Sequence, residues 1–319
     1  MHLTHQRSGN SEITALDQSA YSWKIGTDFS LSNNISGSHL AFYGLNELNE
    51  FVEVPTHRHD TEMDLRRVSL SFMNSIDEEW DVGLTIPYFW KSQEANVSFL
   101  EPATPLDVEY AERAGFIHHR NEEYHGFGDI ELMAGLKKRD LLKEGSIMRI
   151  RLGLTLPTGR TEDDPWLLGD LGKKHLHIQF GNGTIDPLIN FYYGFQISEK
   201  IGLGFYSRAR LPFYRNTKGF RGAPELAFSP MVNFTISEKL SASVGLSAEY
   251  FGYSDWRLTG RDPNSGFLHS SLSFNLSYAM KENLDLGFGF TNPIHQSFYG
   301  DGEDFEISPS LTFSLRKSF

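Results

Sequence analysis

From about residue 62 to the carboxyl terminus the chain repeats one pattern, apolar side chains at every second position in strand-length runs. The last run, FEISPSLTFSLRKSF, shows it most plainly. Phe305, Ile307, Pro309, Leu311, Phe313, Leu315 and Phe319 share one parity, broken only by Lys317; Glu306, Ser308, Ser310, Thr312, Ser314, Arg316 and Ser318 share the other. A strand sends alternate side chains to opposite faces, so such a run has one apolar face and one wet face. Similar runs occupy 68–72, 80–90, 130–136, 148–156, 185–197, 201–211, 226–236, 240–250, 268–280 and 284–290. A further strand belongs to residues 22–45, where Trp23, Ile25, Phe29 and Leu31 alternate, and His39 to Leu45 form a second candidate there. The count is about 12 strands, with 14 as the alternative, and no helical period of useful length stands out.

The connections alternate in length. Short polar turns are NSIDEE, KRDLLKEG, and residues 198–200, 237–239 and 281–283; long connections are 46–61, 91–124, 158–181, 213–223, 251–266 and 293–304. A soluble sandwich has no reason to send all its long loops to one end. A bacterial outer-membrane barrel does, because its periplasmic turns are short and its extracellular loops long. The chain therefore reads as all-β, a single antiparallel up-and-down transmembrane β-barrel over residues 21–319. Residues 1–20 read as an N-terminal extension, flexible or serving as a lumen plug. Trp80 and Trp90 lie on one face of a strand. At about 3.3 Å per residue and 45° tilt they stand roughly 23 Å apart along the membrane normal, enough to reach both aromatic girdles.

Composition agrees. Mean hydropathy is −0.37 and no apolar run approaches the length of a membrane helix, which a barrel permits because alternate residues face its interior. With no cysteine, disulfides and thiolate metal sites are excluded. A net charge of −12 argues against nucleic acid as a partner. MHLTHQRSGNSEITALDQ has no apolar core or cleavage site of a signal peptide, so this reading expects a mature form. The inward parity carries Arg67, Asp81, Asp129, Glu131, Arg149, Arg151, Asp186, Arg208, Arg210, Glu225, Glu249 and Asp285. These charges either line an aqueous path or fill the barrel as salt bridges. Arg149, Arg151, Arg208, Arg210 and Glu249 are the candidate solute-facing residues.

Three segments carry a family resemblance. Gly128-Asp129, Leu156-Pro157-Thr158-Gly159 and Gly181-Asn182-Gly183 with Asp186-Pro187 resemble the outer-membrane transporter-like barrels associated with meta-pathway phenol degradation, Asn182 standing where Thr is more usual. The resemblance implies passive uptake or capture of a small solute, hydrophobic or aromatic, by a protein that is not an enzyme. A closing strand ending on Phe319 resembles those of outer-membrane barrels, which implies recognition by the barrel-assembly machinery. A monomer in outer-membrane lipid is expected.

Two alternatives remain open. His57, His59, His118, His119, His125, His175 and His177 fall in the long connections or at strand ends beside them. Converging there, they would suit Zn²⁺ or Cu²⁺ at an extracellular mouth, for uptake or sensing. Gly266-Phe-Leu-His269-Ser-Ser271 is similar to the core of outer-membrane phospholipase A, in which His and Ser act as base and nucleophile. The Asn-Gly that follows in that family is replaced by Leu272-Ser273, and the parity points His269 and Ser271 inward.

Overall fold

The computed structural model describes residues 23–177, 179–300 and 304–319. The residues expected as an N-terminal extension or plug lie outside these. Twelve staves close into one antiparallel barrel in which each strand pairs with its neighbours in sequence. They are β1 (Trp23–Leu45), β2 (Phe51–Ser75), β3 (Trp80–Phe99) and β4 (Glu122–Phe127, continued by Ile130–Arg139). There follow β5 (Ser146–Leu156), β6 (Pro187–Gln196), β7 (Ile201–Arg210) and β8 (Glu225–Thr235). The last four are β9 (Leu240–Phe251), β10 (Phe267–Lys281), β11 (Leu284–Phe298) and β12 (Asp304–Glu306, continued by Ser310–Ser318). Closure is by β12 against β1, from Lys24 opposite Ser318 up to Ser38 opposite Asp304. Phe319 N–H donates to the Trp23 carbonyl at 2.9 Å, so both ends of the described chain meet at the short-turn rim.

The outward face reports the membrane level. Trp80 and Trp90 are both exposed on β3, at its two heights, as their spacing predicts. Between such levels run outward rows including Phe313, Phe288 and Leu276, each opposite the next across the ladder. So much exposed apolar surface has a physical sense in lipid, not in water. On β2 the outward parity is Phe72, Leu70 and Val68, then turns charged at Arg66, Asp64, Glu62, Asp60 and Arg58. Arg66 pairs with Trp90, which places the upper boundary there.

Above that boundary the first strands continue. The expected long connections 46–61 and 91–124 are corrected: residues 51–61 and 91–99 are strand, and only 46–50 joins β1 to β2. At about 3.3 Å per residue and 45° tilt, the 25 residues of β2 rise roughly 60 Å, against ~25 Å of apolar band. Charge on the outward parity disguises this extension as loop. The two candidate strands in 22–45 are one strand, with an irregularity between Ser32 and Ile35 where Asn34 adopts φ 59°. That shift moves the inward parity from even to odd residues. β12 has a matching break at 307–309, so Phe305 and Ile307 are buried inside while Phe313 and Leu315 face out. The single apolar face expected for the closing segment is thus two faces, divided near Pro309, which lacks the N–H to continue a ladder.

The class is all-β as expected, and two helices stand in its long connections, where no helical period is visible in the sequence. Helix α1 (Pro105–His118) begins with a capping box in which the Thr104 and Asp107 side chains each satisfy the other's backbone, and Pro opens its first turn. It packs on the inner side of the β1–β2 extension, where Leu45, Ala114 and Ile117 form a small core. Helix α2 (Pro165–Asp170) is capped by Asp164.

Candidate functional site

The interior divides into three levels. The ionic level lies within the membrane band. Near the short-turn rim, Asp81 holds Arg151 at 3.1 Å and Arg149 at 3.5 Å. Gly135 makes room for this group: a Cβ there would lie 2.8 Å from the Asp81 carboxylate and 2.9 Å from Arg151. Arg208 pairs with Glu131 at 3.3 Å. Higher up, Arg210 donates from Nε to Asp186 and from Nη2 to Asp129, at 2.9 and 2.8 Å, and is almost wholly buried. Asp129 also accepts the backbone N–H groups of Gly159 and Asn182, and Asp186 accepts from Asn182 Nδ2 and Thr184 Oγ1. A Cβ on Gly181 would stand 2.2 Å from Asp129 Oδ1. The Gly-Asp, Leu-Pro-Thr-Gly and Gly-Asn-Gly segments are therefore one hub that ties the connection 157–186 to the β4–β7 wall. Interior ions of this kind persist where they are paired and hydrogen-bonded. The wall from β9 to β12 is different, carrying small inward residues such as Ser243, Ser271, Ser273, Asn275 and Gly289 between Glu249, His269, Asp285 and Arg316, the last paired with Asp28 at 2.8 Å.

Above the ionic level runs an apolar girdle. Ile35, Leu65, Phe89, Tyr124, Phe251, Phe267, Phe305 and Ile307 point inward from seven strands and are buried together, with Phe180 descending from the loop 157–186. Phe251 and Phe267 stack at 4.4 Å, and Phe298 joins Phe267 at 5.6 Å. Cations sit over two of the rings, Arg67 on Phe89 and Lys91 on Phe180.

The third level is the mouth, where the folded loops meet. Arg120 Nη1 donates to the His175 carbonyl at 2.9 Å and to that of Ile117, fastening the loop 157–186 to the end of α1. Thr259 and Lys218 bind the same loop through Asp164 and the Thr161 carbonyl. Here histidines converge. His39 and His59 are opposite across β1 and β2, and the nitrogens of His39, His59 and His119 lie within 4.8 Å of one another. His57 adjoins His59 at 4.9 Å between ring centroids, and His119 stacks on His177 at 6.5 Å. His175 and His177 approach at 3.1 Å through Nε2, and burial lowers the His175 pKa.

Of the histidines expected at a mouth site, the structure gathers His57, His59, His119, His175 and His177. His125 is corrected: it lies on the outer side of β4, bonded to the Tyr88 hydroxyl at 2.7 Å, because its position in that strand alternates away from the mouth. The side chain of His118 lies outside the description. His39 was concealed in a candidate strand, its signal being the parity it shares with His59 after the Asn34 shift. The apolar girdle was missed too, though Phe89, Phe251 and Phe267 stand on the parity that carries the lumenal charges. Arg149, Arg151, Arg208 and Arg210 are engaged in ion pairs, and Glu249 faces inward beside His269. His269 Nε2 and Ser271 Oγ are 3.0 Å apart and buried inside the barrel, so the pair faces away from lipid.

Among solved structures, the chain is similar to an outer-membrane channel from Pseudomonas putida F1, with TM-score 0.57, 14% identity, and coverage of 95% of this chain and 100% of that one. The Pseudomonas putida toluene transporter TodX gives TM-score 0.43 and 9% identity over 98% of this chain and 93% of that one. A FadL homologue from Pseudomonas aeruginosa gives 0.42 and 9% over 93% and 90%. No family model and no curated protein matches the chain. The first of these likenesses, together with the closed barrel and its outward apolar band, establishes the fold of an outer-membrane β-barrel.

Proposed function

We propose that this barrel admits a small hydrophobic solute, of the size of a monoaromatic hydrocarbon, passively through the outer membrane. The observation that carries the reading is the apolar girdle around Phe89, Phe251 and Phe267, an aromatic cluster buried inside a barrel whose lower interior is ionic. Aromatic rings favour offset and edge contacts with other rings, and a ligand buried there gains ~25 cal/mol for each Å² of apolar surface removed from water. The similar fold of a protein named as a channel agrees with this. The ion pairs serve as filling that stiffens the β4–β7 wall, leaving the small-residue wall of β9–β12 as the side along which a solute descends. Calorimetric titration of refolded protein with toluene tests the reading. Saturable binding that Phe267→Ser weakens is expected; absence of saturable binding to the wild type rejects it.

A further inference from the structure

We propose that His39, His59 and His119 form a binding site for one divalent transition-metal ion of the zinc or copper type. The site stands on its own geometry and is independent of the uptake reading.

The three imidazoles come from three elements, β1, β2 and the end of α1, and their ligand atoms already lie within 4.8 Å of one another. His39 Nε2 and His119 Nε2 are 3.0 Å apart. Around a tetrahedral ion with bonds of about 2.0–2.1 Å, neighbouring nitrogens lie roughly 3.3 Å apart. The pair is thus close to ligand spacing, and rotation of the His59 ring completes the set. The ladder fixes the spacing of the two strands at this point, since His39 and His59 face each other in it. His57, on the same face, donates from Nδ1 to the Pro55 carbonyl at 3.0 Å, which leaves the lone pair on its buried Nε2, a nitrogen with no hydrogen-bond partner among the described residues. A buried polar nitrogen left so is costly, and a fourth ligand position, or a metal-bound water, satisfies it. An outer line of His177 and His175 stands behind His119.

The donor set decides the class of ion. Magnesium and calcium want oxygen ligands. Three neutral imidazoles without a carboxylate among them suit zinc and copper, for which first-row affinities are highest. Bound there, the ion would tie α1 to the β1–β2 wall above the apolar girdle.

The test is isothermal titration of untagged, refolded full-length protein with ZnCl2, with MgCl2 as the comparison. One equivalent of zinc and no magnesium are expected. His119→Ala, outside the strands, and His39→Ala each lower zinc affinity by an order of magnitude or more. His125→Ala and the double change His2→Ala with His5→Ala leave it as it was. Unheated gel mobility confirms a folded barrel in each variant, and His119→Ala decides if His39→Ala does not fold. Absence of a stoichiometric zinc site, affinity unchanged in folded His119→Ala, or binding lost with His2 and His5 overturns the proposal.

Discussion

Arg210 stands where Asp129, Asp186 and Glu225 converge, with the first two within 2.8 Å of its Nη2 and the third at 4.0 Å from Nη1. Removing one member of a buried ion pair leaves the others charged in a poor solvent for charge, at a cost of about 3–5 kcal/mol. Arg210→Met is therefore expected to lower the urea midpoint of the refolded barrel strongly. Adding Asp129→Asn and Asp186→Asn to it should restore part of the loss; no recovery would mean that the charges are not the cause. A smaller effect belongs to Asp107. Hydrogen bonds from the Thr104 side chain and backbone hold its carboxyl below the usual carboxylate range. A depressed carboxyl contributes stability above its unfolded pKa, and that contribution is lost as pH falls through the folded value. The protection factor of the Val108 amide against hydrogen exchange, an amide that closes the first turn on Thr104, should fall on acidification through that range. Asp107→Asn should remove the pH dependence.

At the level of elements, the connection 157–186 is shaped by close approaches more than by its own secondary structure. Gly159 and Gly181 pass with a would-be Cβ of Gly159 only 2.6 Å from the Gly181 Cα. Gly181→Ala is expected to push this loop off Asp129, which limited proteolysis within 161–180 reads as new cleavage; an unchanged digest would contradict the hub. The strands within the lipid were legible in the sequence because lipid and interior demand opposite chemistry on alternate residues. That is why the runs from Trp80 to Leu315 and the level of Trp90 are where the alternation put them. The extensions of β2 and β3 above Arg66 were not legible, since water on their outer side removes the apolar half of the signal, while that of β1 was legible only as a separate candidate at 39–45. Helix α1 was hidden for another reason: PLDVEYAERAGFIH lacks a strong apolar stripe, and its Thr104–Asp107 cap was the available cue. For the site, the histidines of the mouth other than His39, and the lumenal arginines, could be named from sequence. Their partners could not, because His39 meets His119 and Arg151 meets Asp81 only once the barrel has closed.

Over the whole molecule, an ionic lower interior and an aromatic upper interior make different predictions for ions and for hydrocarbons. Asp81, Arg149, Arg151, Glu131 and Arg208 pack with little accessible surface, so single-channel conductance in a planar bilayer should be low. Replacing Asp81, Arg149 and Arg151 together by Ser should raise it, and a wild-type conductance already at general-porin level would contradict a filled interior. On the outer surface, Phe288→Arg in the lipid-facing row should cost about 2–4 kcal/mol if it lies near the bilayer midplane, measurable as a shift in unfolding from vesicles. Passage of a small hydrophobic solute by the aromatic girdle, as proposed above, is read from the initial rate of radiolabelled toluene uptake into Gram-negative cells carrying the barrel. Uptake above that of cells without it, falling back toward their level with Phe251→Asp and Phe267→Asp at equal surface expression, is the predicted result. Equal uptake with and without the barrel would contradict the account.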